Sequence, residues 1–476
     1  MWLQTVARIV ADVYDSGWKF DAFLAPVLPD DALLFSLDVA DDDIHLDAAI
    51  EEEPMPDSVA ALSLGESWST VRDGITEEER LAMLERMTAE EGPSSAGGLL
   101  VDRSIARRAV TDHVRAVDES YFESYSRFGI HRDMLGDAPR TSTYSAALER
   151  NPSLMRGAAV LDVGCGTGIL SLFAARAGAS VVVGVDGSQR MAALATALAA
   201  DNGFGPQTGG GAGTLQVVAG KLEEMETLPV KQFDVLVSEW MGYALLFESM
   251  LDTVIVARDR FLKPGGAVLP DIAAFFSAGV TREASGTEFW DSVYGFDFSR
   301  VAREEHAEAL GARLARVLPV PSSAVATQTA AVKSFDLTTV RPEDVEFTAA
   351  FELLPRLAER STVVGVVLWF DTEFSSRFCK EHPVTLTTSP HAAPTHWAQT
   401  LFDLKTPLIL SGTNVLNAAA VPGAAPGTDA LPAASLWCRI SVARSARHRS
   451  LDVSLEVEPR GLDGKQQPAQ VMLYEV

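Results

Sequence analysis

Between residues 158 and 270, apolar runs alternate with segments of helical spacing. The runs are AAVLDVG, SVVVGVD, LQVVAG, FDVLVSEW and GGAVLP. A strand covered on both faces has no polar alternation, so short continuous apolar runs between amphipathic segments predict a parallel sheet with helices over it. After Pro270 the pattern changes. FTAAFELL, TVVGVVLWF, PLILSG and SLDVSLEVE read as strands with no helices between them, as in an antiparallel sandwich or barrel. Upstream, residues 1–57 open with a helical apolar pattern and then turn acidic. Further on, Thr76 and Glu79 form a T-x-x-E capping box ahead of ERLAMLERMTAEE, which Gly92 and Pro93 stop. Three small-residue segments, 209–213, 319–331 and 418–434, read as inserted flexible loops.

Composition narrows the partners. The chain has 476 residues, enough for two or three domains, and 47% of them are hydrophobic, enough for a substantial core. Its 65 acidic side chains outnumber 39 basic ones, for a formal net charge of −26. Such a surface repels nucleic acid and anionic lipid and attracts basic polypeptides. The three cysteines, Cys165, Cys379 and Cys438, have no C-x-x-C spacing, so neither a zinc site nor a disulfide framework is expected. Free thiols point to the cytoplasm, with the nucleus as an alternative. No apolar stretch is long enough to span a membrane, and the N-terminus does not read as a signal peptide.

The candidate chemistry begins at the first run. AAVLDVG leads directly into Gly164, Cys165, Gly166, Thr167 and Gly168, and then into the helix-like ILSLFAARAG. Glycines admit positive φ and close ligand approach, and the helix start supplies free N–H groups. The second run ends in Asp186, placed to accept ribose hydroxyls, with Ser188 just beyond it. Dinucleotide sites share this logic. Two features favour S-adenosylmethionine: the G-x-G-x-G spacing, and Asp162 before the glycines, whose charge repels a pyrophosphate and suits an ammonium group. The fourth run delivers Glu239, and Glu248 follows after MGYALLF. Two carboxylates bracketing a short apolar loop suit a guanidinium, whose planar fork of donors they can hold bidentately.

SEWMGYALLFESMLDTV resembles the double-glutamate loop of the protein arginine N-methyltransferase family. LDVGCGTGILSLFAARAGA is similar to its cofactor motif, YFESYSRFGIHRDML to its N-terminal lid, and Thr395-His396-Trp397 to its late signature tripeptide. The likeness spans roughly residues 115–476. FLAPVLPDDALLFSLD, FWDSVYGF and Asp186 resemble the type 3 branch. That branch carries an N-terminal zinc finger; the cysteines for one are not present, so the finger is expected to be absent or truncated.

The sequence pattern and, from about residue 115 on, the resemblance imply an α/β chain in three parts. Residues 1–104 form an acidic region, partly helical and partly disordered. Residues 105–270 form a Rossmann-like S-adenosylmethionine-binding methyltransferase domain with its lid. Residues 271–476 form an antiparallel β-barrel with a helical dimerisation arm at about 283–312. By the same resemblance Glu239 and Glu248 are catalytic, and His396 with Asp137 relays the departing proton. His131, Arg140, Gly164, Gly166, Asp186, Leu222 and Glu223 join Asp162 and Ser188 as cofactor residues, with Arg140 suited to the cofactor's carboxylate. No metal is expected. Met134 implies monomethyl and asymmetric dimethyl products. The implied partners are arginine-containing proteins, glycine/arginine-rich or ribosomal ones among them, and a second copy of the chain; nucleic acid and membrane are not expected. Ala138 and Pro139 depart from the family pattern and imply a stiffer lid. Rival readings are a small-molecule methyltransferase, a nicotinamide oxidoreductase, and a silent scaffold that binds arginine-rich proteins.

Overall fold

A computed structural model describes residues 115–205, 214–416, 432–445, 449–461 and 465–476. The acidic N-terminal region, its capping box and the 209–213 loop lie outside these residues, as does most of 418–434. Residues 115–124 are helical and are followed by α1 (Phe128–Gly136) and α2 (Ala138–Glu149). Asp137 separates the two helices and caps the second: its side chain accepts a hydrogen bond from the Arg140 N–H. Ala138 and Pro139 therefore occupy the first turn of α2, where proline's fixed φ and missing N–H carry no penalty.

A five-stranded parallel sheet follows. Its strands are β1 (Ala159–Val163), β2 (Val181–Asp186), β3 (Thr214–Ala219), β4 (Phe233–Val237) and β5 (Leu262–Leu269), in the order β3-β2-β1-β4-β5. α3 (Ile169–Arg176), α4 (Gln189–Asp201) and α5 (Met250–Phe261) connect them. The chain reverses direction across the sheet between β1 and β4, the crevice at which open parallel sheets bind ligands beyond their strand ends.

From residue 272 on, a ten-stranded, mostly antiparallel sheet forms a barrel-like second body. Its main path is β15-β14-β13-β12-β10-β6-β8. These strands are β6 (Ile272–Val280), β8 (Ala330–Asp336), β10 (Ser361–Phe374), β12 (Gln399–Leu410), β13 (Ala433–Arg444), β14 (Leu451–Gly461) and β15 (Gln470–Glu475). Three shorter strands pair beside this path: β7 (Arg316–Leu318) on β12, β9 (Phe347–Leu353) on β13 and β11 (Val384–Thr387) on β10. Both sheets share one core. Tyr144 of α2 and Phe374 of β10 are fully buried and meet edge to face at 4.9 Å. Arg258 of α5 donates to the carbonyls of Leu337 and Val340.

One expected loop is not a loop in its packing. Val320, Ala324, Val325, Ala326 and Thr327 are buried, and the Thr327 hydroxyl accepts from the Gly279 N–H of β6. Small side chains here permit close packing against the sheet, a use that composition alone does not distinguish from flexibility. Between β6 and β7 the chain makes two 3-10 turns and α6 (Ser299–Ala312). There Phe289, Tyr294 and Phe296 are 64, 99 and 70% exposed. An aromatic patch of that kind marks an association surface.

Candidate active site

A cavity of about 820 Å³ lies beyond the carboxyl ends of β1, β2 and β4. Its floor is the glycine turn. Gly164, Gly166 and Gly168 have φ of 73, 53 and 82°, left-handed values that other residues adopt only with strain. The Gly164 and Cys165 N–H groups both bond to the Val185 carbonyl, which ties the turn to β2. A side chain on Gly166 would press within 3.1 Å of the His131 ring, so the lid closes directly onto this turn. His131 is itself held at 2.7 Å from the Tyr125 carbonyl oxygen.

Asp186 ends β2. Its carboxylate accepts from the Gly166 N–H at 2.7 Å and the Ser188 N–H at 2.8 Å. Burial raises its pKa, against those two bonds. Leu222 and Glu223 follow β3 on the same wall, and the Thr253 hydroxyl donates to Glu223.

Glu239 stands just past β4. Arg140 donates to its Oε2 from Nε at 3.0 Å and from Nη2 at 2.7 Å, and from Nη1 to the Met134 carbonyl at 2.9 Å. Both side chains are nearly buried. Burial alone would pull the guanidinium pKa down, but the adjacent Glu239 raises it.

The loop from Glu239 to Glu248 is tightly wound. Ala244, Leu245, Glu248 and Ser249 sit at φ of 44, 61, 74 and 58°. Each such residue costs about 1 kcal/mol or more and persists only where its surroundings enforce it. Gly242 is one enforcing element: a Cβ there would fall 2.1 Å from the Phe247 carbonyl oxygen. Trp397, buried, donates from its indole to the Met241 carbonyl at 2.8 Å. At the loop's end, Glu248 accepts from the Tyr125 hydroxyl at 2.8 and 3.0 Å. Burial holds the Glu248 carboxyl above the ordinary glutamate range, with Glu239 adding to the effect and the bonds from Tyr125 and Tyr121 opposing it.

His396 reaches the same cavity from the second sheet. Its Nδ1 lies 2.7 Å from Asp137 Oδ2, and its backbone N–H donates to that oxygen at 2.8 Å. These bonds, with the N–H of Arg140, lower the Asp137 pKa despite partial burial.

Residues 160–266 match a methyltransferase domain, and residues 271–423 match an arginine methyltransferase oligomerization subdomain. A probable protein arginine N-methyltransferase 3 from Oryza sativa subsp. japonica is 44% identical over 484 residues, covering 96% of this chain and 77% of the relative. The chain belongs to the protein arginine N-methyltransferase family. A second relative in that family, from Arabidopsis thaliana, is 43% identical over 97% of this chain and 79% of its own length. Among solved structures, the Trypanosoma brucei PRMT1 enzyme–prozyme heterotetrameric complex with AdoHcy matches with a TM-score of 0.60 and 36% identity. That match covers 74% of this chain and 99% of the solved one. Arabidopsis thaliana protein arginine methyltransferase 10 matches with a TM-score of 0.61 and 28% identity, over 75 and 99%.

The methyltransferase cavity gathers His131, Arg140, Gly164, Gly166, Asp186, Leu222, Glu223, Glu239, Glu248 and His396 on its lining. Three expected residues stand behind that lining. Asp162 is fully buried, accepts from the Ser171 hydroxyl at 2.6 Å and leaves its other oxygen unpartnered, so no face of it meets a ligand's ammonium directly. Burial pushes its carboxyl up to about 7. Ser188 spends its hydroxyl capping α4, and Asp137 is bonded to His396 and caps α2. Arg140 departs from expectation in part: three of its N–H groups are committed to Glu239 and Met134, leaving two of the five in its fork for any other anion. Sequence reasoning missed Arg449, Asp118 and Lys221, all of which line the cavity. ARSARHRS carries no turn, strand or spacing signal that would single out Arg449.

These residues fit S-adenosylmethionine. The turn offers a cradle that any Cβ would fill, and Asp186 offers an oriented carboxylate for a diol. Glu239 and Glu248 place two acidic groups on the lining of the same cavity.

Proposed function

We propose that this chain methylates arginine side chains of proteins, with S-adenosylmethionine as donor, and forms monomethyl and asymmetric dimethyl arginine. The observation that carries the reading is the paired carboxylates. Glu239 and Glu248 end a strained loop on one cavity, each fixed by a partner from the lid, Arg140 and Tyr125. Bound there, S-adenosylmethionine supplies a methyl group already activated on a sulfonium. The protein's task is then chiefly positioning.

Glu248 and Glu239 grip the guanidinium bidentately and draw its positive charge away from the attacking ω-nitrogen. Asp186 holds the donor's ribose, and Leu222 with Glu223 holds its base. His396, braced by Asp137, takes the proton that the product no longer needs. Charge moves between two cations, so no strong base is demanded. Met134 lines the cavity and supports the asymmetric outcome. The exposed aromatic arm supports a homodimer.

Incubation with labelled donor and a glycine- and arginine-rich peptide, with the methylarginine isomers resolved, tests this reading. Monomethyl and asymmetric dimethyl arginine are expected. Symmetric dimethyl arginine overturns the product assignment. Binding of the peptide with no methylation favours the scaffold, and methylation of a metabolite alone favours a small-molecule enzyme.

A further inference from the structure

The lid helix over residues 115–124 is joined to both bodies of the molecule through one buried carboxylate. Asp118 is 7% exposed. Its Oδ2 accepts from Lys221, beside the Leu222 wall, at 2.5 Å, and its Oδ1 accepts from Arg449 Nε at 2.8 Å. Arg449 sits just before β14, far along the chain. Its Nη1 donates to the Glu248 carbonyl at 2.6 Å, and its own carbonyl accepts from the Glu248 N–H at 2.9 Å. Two bonds in opposite directions thus fix both peptide groups flanking the Glu248 Cα. Those are the groups that set φ and ψ of a residue held at φ 74°. Arg449 itself has φ 69°, so the clamp is built from two backbones in a sparsely populated region, and neither keeps its shape unaided. The guanidinium also lies 4.1 Å from the centroid of Tyr121, whose ring packs 4.8 Å from that of Tyr125, the residue that bonds the Glu248 side chain. The next residue, Phe122, occupies the space above Gly187, where a Cβ would fall 2.1 Å from its ring.

We propose that Arg449, anchored by Asp118, is a positioning residue for Glu248: it sets the main chain of the substrate-gripping carboxylate and ties it to the lid helix, so the arginine slot is complete only while the lid is docked. The inference rests on the assignment of Glu248 to the substrate guanidinium. It separates the roles of two neighbours. Arg449 serves the substrate side. Asp118 serves both sides, because it also holds Lys221 at the donor wall.

The test compares the full chain with its Arg449→Lys, Arg449→Ala and Asp118→Asn variants. Peptide methylation is measured at saturating donor, donor affinity by calorimetry, and the folded fraction by thermal scanning. Lysine keeps a charge for Asp118 but lacks the fork that reaches the Glu248 carbonyl as well. Arg449→Lys is therefore expected to lower kcat roughly 10- to 100-fold, as small misplacements of reacting groups do. Its donor affinity should stay within about threefold of the parent, because its contacts lie on the substrate side. Asp118→Asn should lower kcat and also weaken donor binding, by about tenfold. If Arg449→Ala does not fold, the two conservative variants carry the test. An Arg449→Lys enzyme with the parent's kcat overturns the inference, as does a loss that tracks the folded fraction alone. A parent protein that leaves the peptide unmethylated overturns the functional reading instead.

Discussion

In the parallel sheet, β1, β2 and β4 are buried along almost their whole length, whereas β14 of the larger sheet alternates buried and open positions. A strand closed on both faces offers nothing to a ligand until it ends. Asp186 is the last residue of β2, Glu239 lies just past β4, and the glycine turn follows β1. The larger sheet has open faces, yet among the described residues it reaches the cavity from loops: His396 and Trp397 before β12, and Arg449 before β14. The parallel half therefore carries the two carboxylates of the proposed substrate grip; the larger half contributes His396 to the same lining and holds the carboxylates' loop through Arg449 and Trp397. Arg449 and Trp397 both bond main-chain atoms of the Glu239–Glu248 loop.

If that division is right, damage to the first half should be chemical. Glu248→Gln is expected to lower kcat/KM for peptide by roughly 10²–10³-fold, with donor affinity, read by calorimetry, little changed. A variant that methylates at the parent's rate breaks the division outright. Glu239→Gln is a less clean probe, because it leaves Arg140 buried without its partner; a stability loss of about 3–5 kcal/mol in chemical denaturation should accompany the lost activity.

Removing a brace should cost less. Asp137→Asn can keep the cap on α2 through its amide oxygen, but its NH2 group then faces the His396 N–H and cannot hold an imidazolium, so kcat should fall by about 10- to 100-fold with a Tm loss of a few degrees. A collapse in Tm with unchanged kcat would make the pair structural instead. The next effect is a shift in pH profile. Glu248 must be ionised to hold a guanidinium, and its pKa is raised by burial and by Glu239. The acid limb of kcat/KM should therefore lie above the ordinary glutamate value of about 4.3. Tyr125→Phe removes a bond that opposes the shift, so the limb should move to still higher pH. A limb that moves down refutes the assignment of that limb to Glu248.

The smallest effect concerns Asp162. Its folded pKa, about 7, lies above that of the unfolded chain, so the folded state binds the extra proton. Stability from this group should decline as pH rises from about 4 to about 7. Asp162→Asn, neutral throughout, should gain a few degrees of Tm on the donor-free parent at about pH 8 and lose that advantage near about pH 5. An unchanged difference at the two pH values would mean that Asp162 is ionised in the fold.

The two halves also differ in how far they were legible. The parallel sheet and its site residues follow from local signals: a turn of glycines, an acid closing a strand, two glutamates around an apolar loop. Each couples a strand end to its neighbour in sequence. His396 and Asp137 were legible only as family motif positions, because nothing local says that they meet. Asp162 misled because a carboxylate beside a glycine turn looks exposed in sequence, while β1 buries it completely. Residues 319–331 misled for a related reason: small residues that fit a tight core look like those of a loose loop. Arg449 left no mark at all. Its meaning comes from Asp118 and Glu248, and only the closed fold supplies that proximity.

The most direct test of the central claim is calorimetric titration of an arginine peptide into the enzyme saturated with S-adenosylhomocysteine. If Glu239 and Glu248 hold the guanidinium, the parent binds the arginine peptide, its lysine analogue binds at least tenfold more weakly, and Glu248→Gln abolishes the difference. Equal binding of both peptides by the parent, or an undiminished arginine preference in Glu248→Gln, would contradict the account.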